Sequence, residues 1–429
     1  MEMTNKQGFP GMKIGIICIG DELLKGATLN TNLAFLGQSL LSEGMMAELS
    51  LEVPDREKDI LDALELALEK TDLVLTTGGL GPTADDVTKE FIARRFQKRL
   101  VQHGETAVSI MNHWKTLHHS EMPPRVLNQS LIPEGAEVIP NRCGTAPGLI
   151  LQTASSDPFP GRTVILLPGP PSELRPMFQE EVLPRLRSLR EKRLYTKLFR
   201  ICGVGESSVE ERMLPVIGAC HPLSVAYCAS PEMVRLFLSS ADSDTLGYAI
   251  REVRKIFDGE LLSDSSETLA QEVLSLLRSR QGTAAVAESC TGGLLAKLFT
   301  DIPGSSDVFK GGVVAYSNEI KARFLGVAQE TLDQYGAVSR ECALEMVRGI
   351  SERFHVTAAA ALTGIAGPDG GSPEKPVGLV WIAAKFEDRV IVEEFHLRRT
   401  REQIRERAAA KALNLLRKMI LGQPCPEQS

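Results

Sequence analysis

At 429 residues, with 43% apolar and 24% charged side chains, the chain is too long for one ordinary core and calls for two or three domains. A net charge of −7 speaks against a nucleic-acid binder, whose domains are ordinarily basic. The eight cysteines form no CxxC pair, no apolar run reaches bilayer length and Met1 to Met12 lack a signal-peptide pattern, so disulfide frameworks, zinc sites and membrane spans are not expected and a reducing cytoplasm is.

Residues 13–19 are short, apolar and β-branched, and lead into Gly20-Asp21-Glu22, which predicts a buried strand ending in a polar turn. Helical spacing follows at 33–41 and 60–68, where Ile60, Leu61, Leu64 and Leu68 share a face. Leu73-Val74-Leu75 is the next strand and delivers the turn Gly78-Gly79-Leu80-Gly81, after which 86–96 reads as helix. This alternation is the pattern of a parallel sheet with helices on both faces, to which Val164–Leu167 adds a strand ending at Pro168-Gly169-Pro170-Pro171. The proline-punctuated stretch 168–184 reads as a boundary region. A small α+β module follows, with strands at 198–202, 224–227 and 233–239 and helices at 207–216 and 246–257.

A second α/β domain begins near Ser263, where Asp264 and Glu267 form a helix-start signal before the stripe Leu269, Val273, Leu276 and Leu277. Strands are predicted at 284–287, 312–315, 356–362 and 379–386, and helices at 291–299, 341–354 and 403–420. The fold class is therefore α/β, with two α/β domains joined by a small α+β module: 1–175, 176–262 and 263–422, then a frayed tail at 423–429.

In the first domain, carboxylates cluster at strand ends: Asp21 with Glu22, Asp55, and Asp85 with Asp86. Hard oxygen ligands suit a divalent ion such as magnesium or manganese, and the amides of Gly78, Gly79 and Gly81 with the following helix start could hold a diphosphate. Asp85 or Asp86 could equally do no more than cap that helix. There is no GxxxxGK[ST], so this is not a Walker-type loop. In the last domain the candidate nucleophiles are Ser289, Cys290, Thr291, Ser305, Ser306 and Tyr316, and Lys321 is the candidate base. Backbone amides near Ser305–Ser306 or in the Gly364–Gly371 loop could serve as oxyanion donors. Ser289 could instead cap the next helix, and the arginines from 398 to 405 could form a solvated helix start. Arg401 and Arg405, four apart on one face, could alternatively clamp a phosphate.

The ordered phrases Ile19-Gly20-Asp21-Glu22-Leu23-Leu24, Asn30-Thr31-Asn32, Gly78–Asp86, Asn141-x-x-Gly144-Thr145-Ala146-Pro147-Gly148 and Leu167-Pro168-Gly169-Pro170-Pro171-x-Glu173 resemble the amino-terminal half of the CinA family of competence/damage-inducible proteins. That half is similar to the MoaB/MogA-type molybdopterin-binding fold. The resemblance implies metal-dependent ADP-ribose pyrophosphatase activity, with Asp86 catalytic, Asp85, Asp86 and Asp21 around magnesium, manganese or cobalt, and Asn141 and Thr145 with the glycines on substrate. Asp55 and Asp86 match acidic positions of the related cofactor enzymes, and Asp85 is an additional carboxylate.

The middle module resembles the family's KH-like insert, but Gly203-Val204-Gly205-Glu206 is not a GxxG clamp, so RNA binding is not expected and a spacer or dimer contact is. The phrases Ala287–Gly293, Gly304-Ser305-Ser306, Tyr316-Ser317-Asn318-Glu319-x-Lys321, Gly336–Ser339, Gly364–Gly371 and Lys375–Gly378 resemble the carboxy-terminal CinA domain and the related nicotinamide mononucleotide amidohydrolases. This implies a metal-free amidase with Ser306 as nucleophile, Lys321 as base and Tyr316 as proton relay. Ser289, Thr291, Gly292, Gly364, Gly367 and Arg401 would then contact substrate.

The resemblance as a whole implies a cytoplasmic, homodimeric, bifunctional hydrolase of nicotinamide mononucleotide and ADP-ribose. Two alternatives stay open. The first domain could bind a molybdopterin without hydrolysing anything, or the chain could be a non-enzymatic interaction protein of competence or DNA repair.

Overall fold

The computed structural model describes residues 12–83, 86–117, 120–189 and 194–423, which form two compact units. The first unit runs as far as Thr196 and includes Ser239–Asp242. Its strands are β1 (Ile14–Ile19), β2 (Ala47–Val53), β3 (Leu73–Thr77), β4 (Leu100–Gln102), β5 (Leu131–Pro133), β6 (Glu137–Ile139), β7 (Gly148–Gln152) and β8 (Thr163–Leu167). Six of them form one sheet in the order β2-β1-β3-β8-β7-β6, parallel through β8 and antiparallel at β7 and β6, while β4 and β5 pair separately.

Side chains alternate across a strand, so β1 feeds two cores. Ile14, Ile16 and Cys18 pack with Leu36, Leu40 and Leu174, whereas Ile17 and Ile19 pack with Ile60, Leu64 and Leu68. The helix Glu57–Lys70 buries Ala63 and Ala67 where Leu61 was expected to share the stripe, because Leu61 points to the edge of that face and stays half-buried.

The proline-rich boundary reading is corrected. Residues 171–188 are nearly continuous helix with a π turn at Phe178–Val182, and Leu174, Met177, Phe178, Val182, Leu183 and Leu186 complete the first core. Pro184 supplies no N–H to the carbonyl of Glu180 and crowds it, and the widened turn accommodates that defect. The first core therefore extends past residue 175.

The second unit contains Lys197–Leu238 and residues from Ser243 onward. The strands β9 (Tyr195–Cys202), β10 (Ser224–Ser230) and β11 (Met233–Ser240) form a three-stranded sheet in the order β10-β11-β9, with helices Glu206–Ala219 and Ser243–Ile256. This module is bound to the closing helix, Arg401–Leu421. The buried Arg417 guanidinium donates to the carbonyls of Gly259 (3.0 Å) and Leu261, Lys411 pairs with Glu232 at 3.0 Å, and Gly203 packs against Asn414. The module thus shares a compact unit with the last domain.

The remaining strands, β12 (Ala284–Glu288), β13 (Phe309–Val314), β14 (Ala358–Gly364), β15 (Leu379–Phe386) and β16 (Arg389–His396), form a sheet ordered β13-β12-β14-β15-β16. β12 runs parallel to β13 and β14, and the last two strands are antiparallel. Both faces are covered: Ala358 and Ala360 meet the closing helix, while Ala359 and Ala361 meet the helix Arg340–Phe354. Four successive alanines let helices approach both faces closely.

The expected helix start at Asp264 is also corrected. The helix runs Leu269–Ser279, the hydroxyl of Thr268 accepts from the Gln271 amide, and Asp264 instead pairs with Lys197 at 2.6 Å. Strands β2, β4 to β7 and β16 were not anticipated.

Candidate active site

A cavity of about 280 Å³ opens at the carboxyl ends of β12, β13 and β14, where ligands bind in open α/β sheets. Ser289, Cys290, Tyr316, Asn318, Lys321, Asp369 and Arg401 line it, with the backbone of Gly364, Gly367 and Gly370 opposite.

At its buried end the Lys321 Nζ lies 3.0 Å from Ser289 Oγ and donates to the Ala315 carbonyl at 2.7 Å. Lys321 is 1% exposed and Ser289 8%. Burial holds the Lys321 amine below its ordinary value of 10.5, against the weaker pull of the nearby Cys342 and Cys290 thiols. The Cys290 thiol is pushed up to about 11 by burial, so it stays protonated at neutral pH and is a poor nucleophile.

Ser289 is not the cap of the next helix. Its neighbour Glu288, 1% exposed, accepts from the amides of Gly293 (3.0 Å), Leu295 (3.0 Å) and Ala296 (2.7 Å) at the start of helix Leu294–Thr300. Hydrogen bonds to a charged acceptor contribute about 1.5–3 kcal/mol each. Three of them offset the several kcal/mol, roughly, that it costs to bury one carboxylate. Sequence reasoning placed Glu288 only inside a phrase; a carboxylate ending an otherwise apolar strand was the available signal.

At the mouth, the Arg401 guanidinium donates to the Gly367 carbonyl at 2.6 Å and to the Tyr316 hydroxyl at 3.2 Å. Arg405 donates to the Thr291 carbonyl at 2.8 Å. Arg401 thus lines the cavity, while Arg405 is held on the Thr291 turn beside it, so neither is merely a solvated helix start. Thr291 is fully buried and Gly292 packs near Arg405, so neither lines the cavity.

The expected Ser306–Tyr316–Lys321 set is not assembled in the chain. Ser306 is exposed on the turn Ser305–Asp307 before β13, whereas Tyr316 follows that strand. Six residues of strand at about 3.3 Å each hold them roughly 20 Å apart. Ser305 and Ser306 therefore supply no oxyanion donors here either.

In the first unit the ends of β1, β3 and β8 converge. Gly78 donates its amide to the Leu167 carbonyl at 3.2 Å, and Asn32 donates to Thr77 Oγ1 (3.1 Å) and the Gly169 carbonyl (2.7 Å). Asp86 folds back on its own loop, accepting from the amide and hydroxyl of Thr83 at 2.9 and 2.5 Å beside Gly81. Asp21 accepts from Lys25 at 2.6 Å, which holds its carboxyl below the usual range, and its amide donates to Asp55. Asn141 donates to Glu173 (2.6 Å) and to the Ala146 carbonyl (2.8 Å); Thr145 sits half-buried in the same turn, and Gly79 packs on Thr88.

Asp85 lies outside the described residues. Among those described, no three His, Cys, Asp or Glu side chains form a group that could hold a metal ion. Asp21 and Asp86 are each engaged by neighbouring groups, Lys25 and Thr83.

The two units are thus α/β sheets with candidate sites at their strand ends. Residues 15–188 match the probable molybdopterin binding domain, and residues 266–420 match the CinA C-terminal domain. A CinA-like protein of Kosmotoga olearia is 39% identical over 416 residues, covering 96% of this chain and 99% of its own. A putative competence-damage inducible protein of Caldicellulosiruptor saccharolyticus is 38% identical over 418 residues, covering 96% and 100%. The crystal structure of competence/damage inducible protein CihA from Agrobacterium tumefaciens shares 43% identity, covering 36% of this chain and 94% of that one, at a TM-score of 0.35. The chain belongs to the CinA family. No helix among the described residues is long and apolar enough to cross a membrane.

Proposed function

We propose that the second unit is a metal-independent amidase acting on nicotinamide mononucleotide, with Ser289 as nucleophile and Lys321 as base. The observation that carries this reading is the buried 3.0 Å hydrogen bond between Lys321 Nζ and Ser289 Oγ at the floor of a cavity. Deprotonated, the amine accepts the serine proton as Oγ bonds to the amide carbon. Collapse of the tetrahedral adduct breaks the C–N bond, and the proton leaves on ammonia. Water then hydrolyses the ester, releasing the carboxylate and restoring the serine. Arg401 at the mouth suits the substrate's phosphate, while the floor takes the amide.

Ammonia release from nicotinamide mononucleotide tests this, with Ser289→Ala and Ser306→Ala compared side by side in the presence of chelator. Loss in Ser289→Ala alone is expected; loss in Ser306→Ala alone would transfer the nucleophile to Ser306 and overturn the assignment. Arg401→Ala is expected to raise KM about tenfold or more with a smaller change in kcat, measured by initial rates.

For the first unit, the convergence of the Gly78 and Gly169 turns favours a phosphorylated ligand at the ends of β1, β3 and β8. Hydrolysis of ADP-ribose there is tested by AMP release from wild type and Asp86→Ala, with and without chelator. Metal-dependent turnover lost in the variant is expected; tight binding of a pterin without turnover would instead make the unit a binding module.

A further inference from the structure

We propose that Glu288 is a positioning residue of this site, its buried carboxylate fixing the turn that presents Ser289 to Lys321. The inference rests on the Ser289–Lys321 reading. β12 is clasped on both sides at this level: the Ser289 amide donates to the Leu362 carbonyl of β14 at 3.0 Å, and the Ala315 amide after β13 donates to the Glu288 carbonyl at 2.7 Å. Beyond Ser289 the chain leaves the sheet, and the Gly292 amide returns to the Ser289 carbonyl at 3.1 Å. The helix that follows has only seven residues, and its cap residue, Gly293, has no side chain to offer. Glu288 closes the loop between strand and helix, with Oε2 accepting from Gly293 and Leu295 and Oε1 from Ala296.

Both oxygens are acceptors, which makes the site intolerant of the isosteric amide. In either orientation of a glutamine, its NH₂ faces a backbone N–H. Aspartate keeps two acceptor oxygens but withdraws them by one methylene. The Ser289 turn is thus held by a carboxylate that lies outside the cavity lining, and slackening of about 1 Å there costs roughly 10²-fold in rate.

The test uses the full chain and a fluorophosphonate, a reagent that phosphonylates an activated serine with loss of fluoride. Labelling rate, kcat, KM and the thermal melt are compared in wild type, Glu288→Gln, Glu288→Ala and Glu288→Asp. The expected result is a fall of about 10²-fold in labelling rate and kcat for Gln and Ala alike, with KM within about threefold and a folded protein, and an intermediate loss for Asp. Glu288→Gln labelling and turning over within about threefold of wild type would overturn the proposal. So would variants, Asp included, whose turnover falls only in step with KM or with the folded fraction. Wild type that neither labels at Ser289 nor releases ammonia would remove the underlying amidase reading as well; labelling in wild type with unchanged variants removes only the role of Glu288.

Discussion

Replacing Lys321 by methionine is expected to lower ammonia release by roughly 10³-fold or more while leaving the protein at least as heat-resistant as wild type at neutral pH. The two effects share one cause. Burial lowers the Lys321 value from 10.5, so the folded chain sheds this proton at a lower pH than the unfolded chain does. Between the lowered value and 10.5 the unfolded state binds the extra proton, and this site's contribution to stability rises with pH. Below the lowered value the folded state carries a buried ammonium and its full desolvation cost. An uncharged side chain of similar length removes that cost along with the base. In wild type, kcat/KM is expected to climb with pH through an inflection below 10.5 as the free amine appears. A flat profile down to acidic pH, or near-normal turnover in Lys321→Met, would show that the amine is not the base.

Gly78→Ala is expected to destabilise the first unit by about 2–4 kcal/mol, since overpacking and a left-handed backbone both penalise it. An added Cβ would stand 2.1 Å from the Ile19 carbonyl oxygen, and Gly78 has φ 109. Strand β3 must leave the sheet immediately beside the end of β1, and only a residue without Cβ passes. For a domain of this size the melting temperature should drop by roughly 4–16 °C. Gly26→Ala is the control: it also has positive φ, but nothing lies within 4 Å of its Cβ position, so only the backbone cost of about 1 kcal/mol applies. Unchanged melting of Gly78→Ala with lost ligand binding would return this glycine to the role of a phosphate seat.

These two residues also mark how far the sequence could be followed. The glycines, the polar turns after short apolar strands, and Lys321 as a base candidate were all legible, because strand-end turns in α/β sheets have few local solutions. The two α/β units were legible for the same reason: alternating strand and helix periods identify layers without reference to contacts. The partner of Lys321 was not. Ser289 and Ser306 sit in equally suggestive phrases, and choosing between them depends on which end of the sheet each occupies: Ser289 follows β12 on the side of Lys321, whereas Ser306 precedes β13, which is a matter of strand direction. The π turn at Phe178–Val182 was hidden because prolines that punctuate a loop look the same as prolines absorbed by a widened helix.

By itself the sequence determined the elements that local chemistry controls: where strands end, which turns need glycine, which faces are apolar, and that an amine stands among hydroxyls. Only the tertiary structure decided which of those hydroxyls the amine meets, that Glu288 and not Ser289 caps the following helix, and that Arg401 and Tyr316 share the cavity mouth. Those relations join residues many positions apart through sheet order and register, and neither is written in any local stretch of chain.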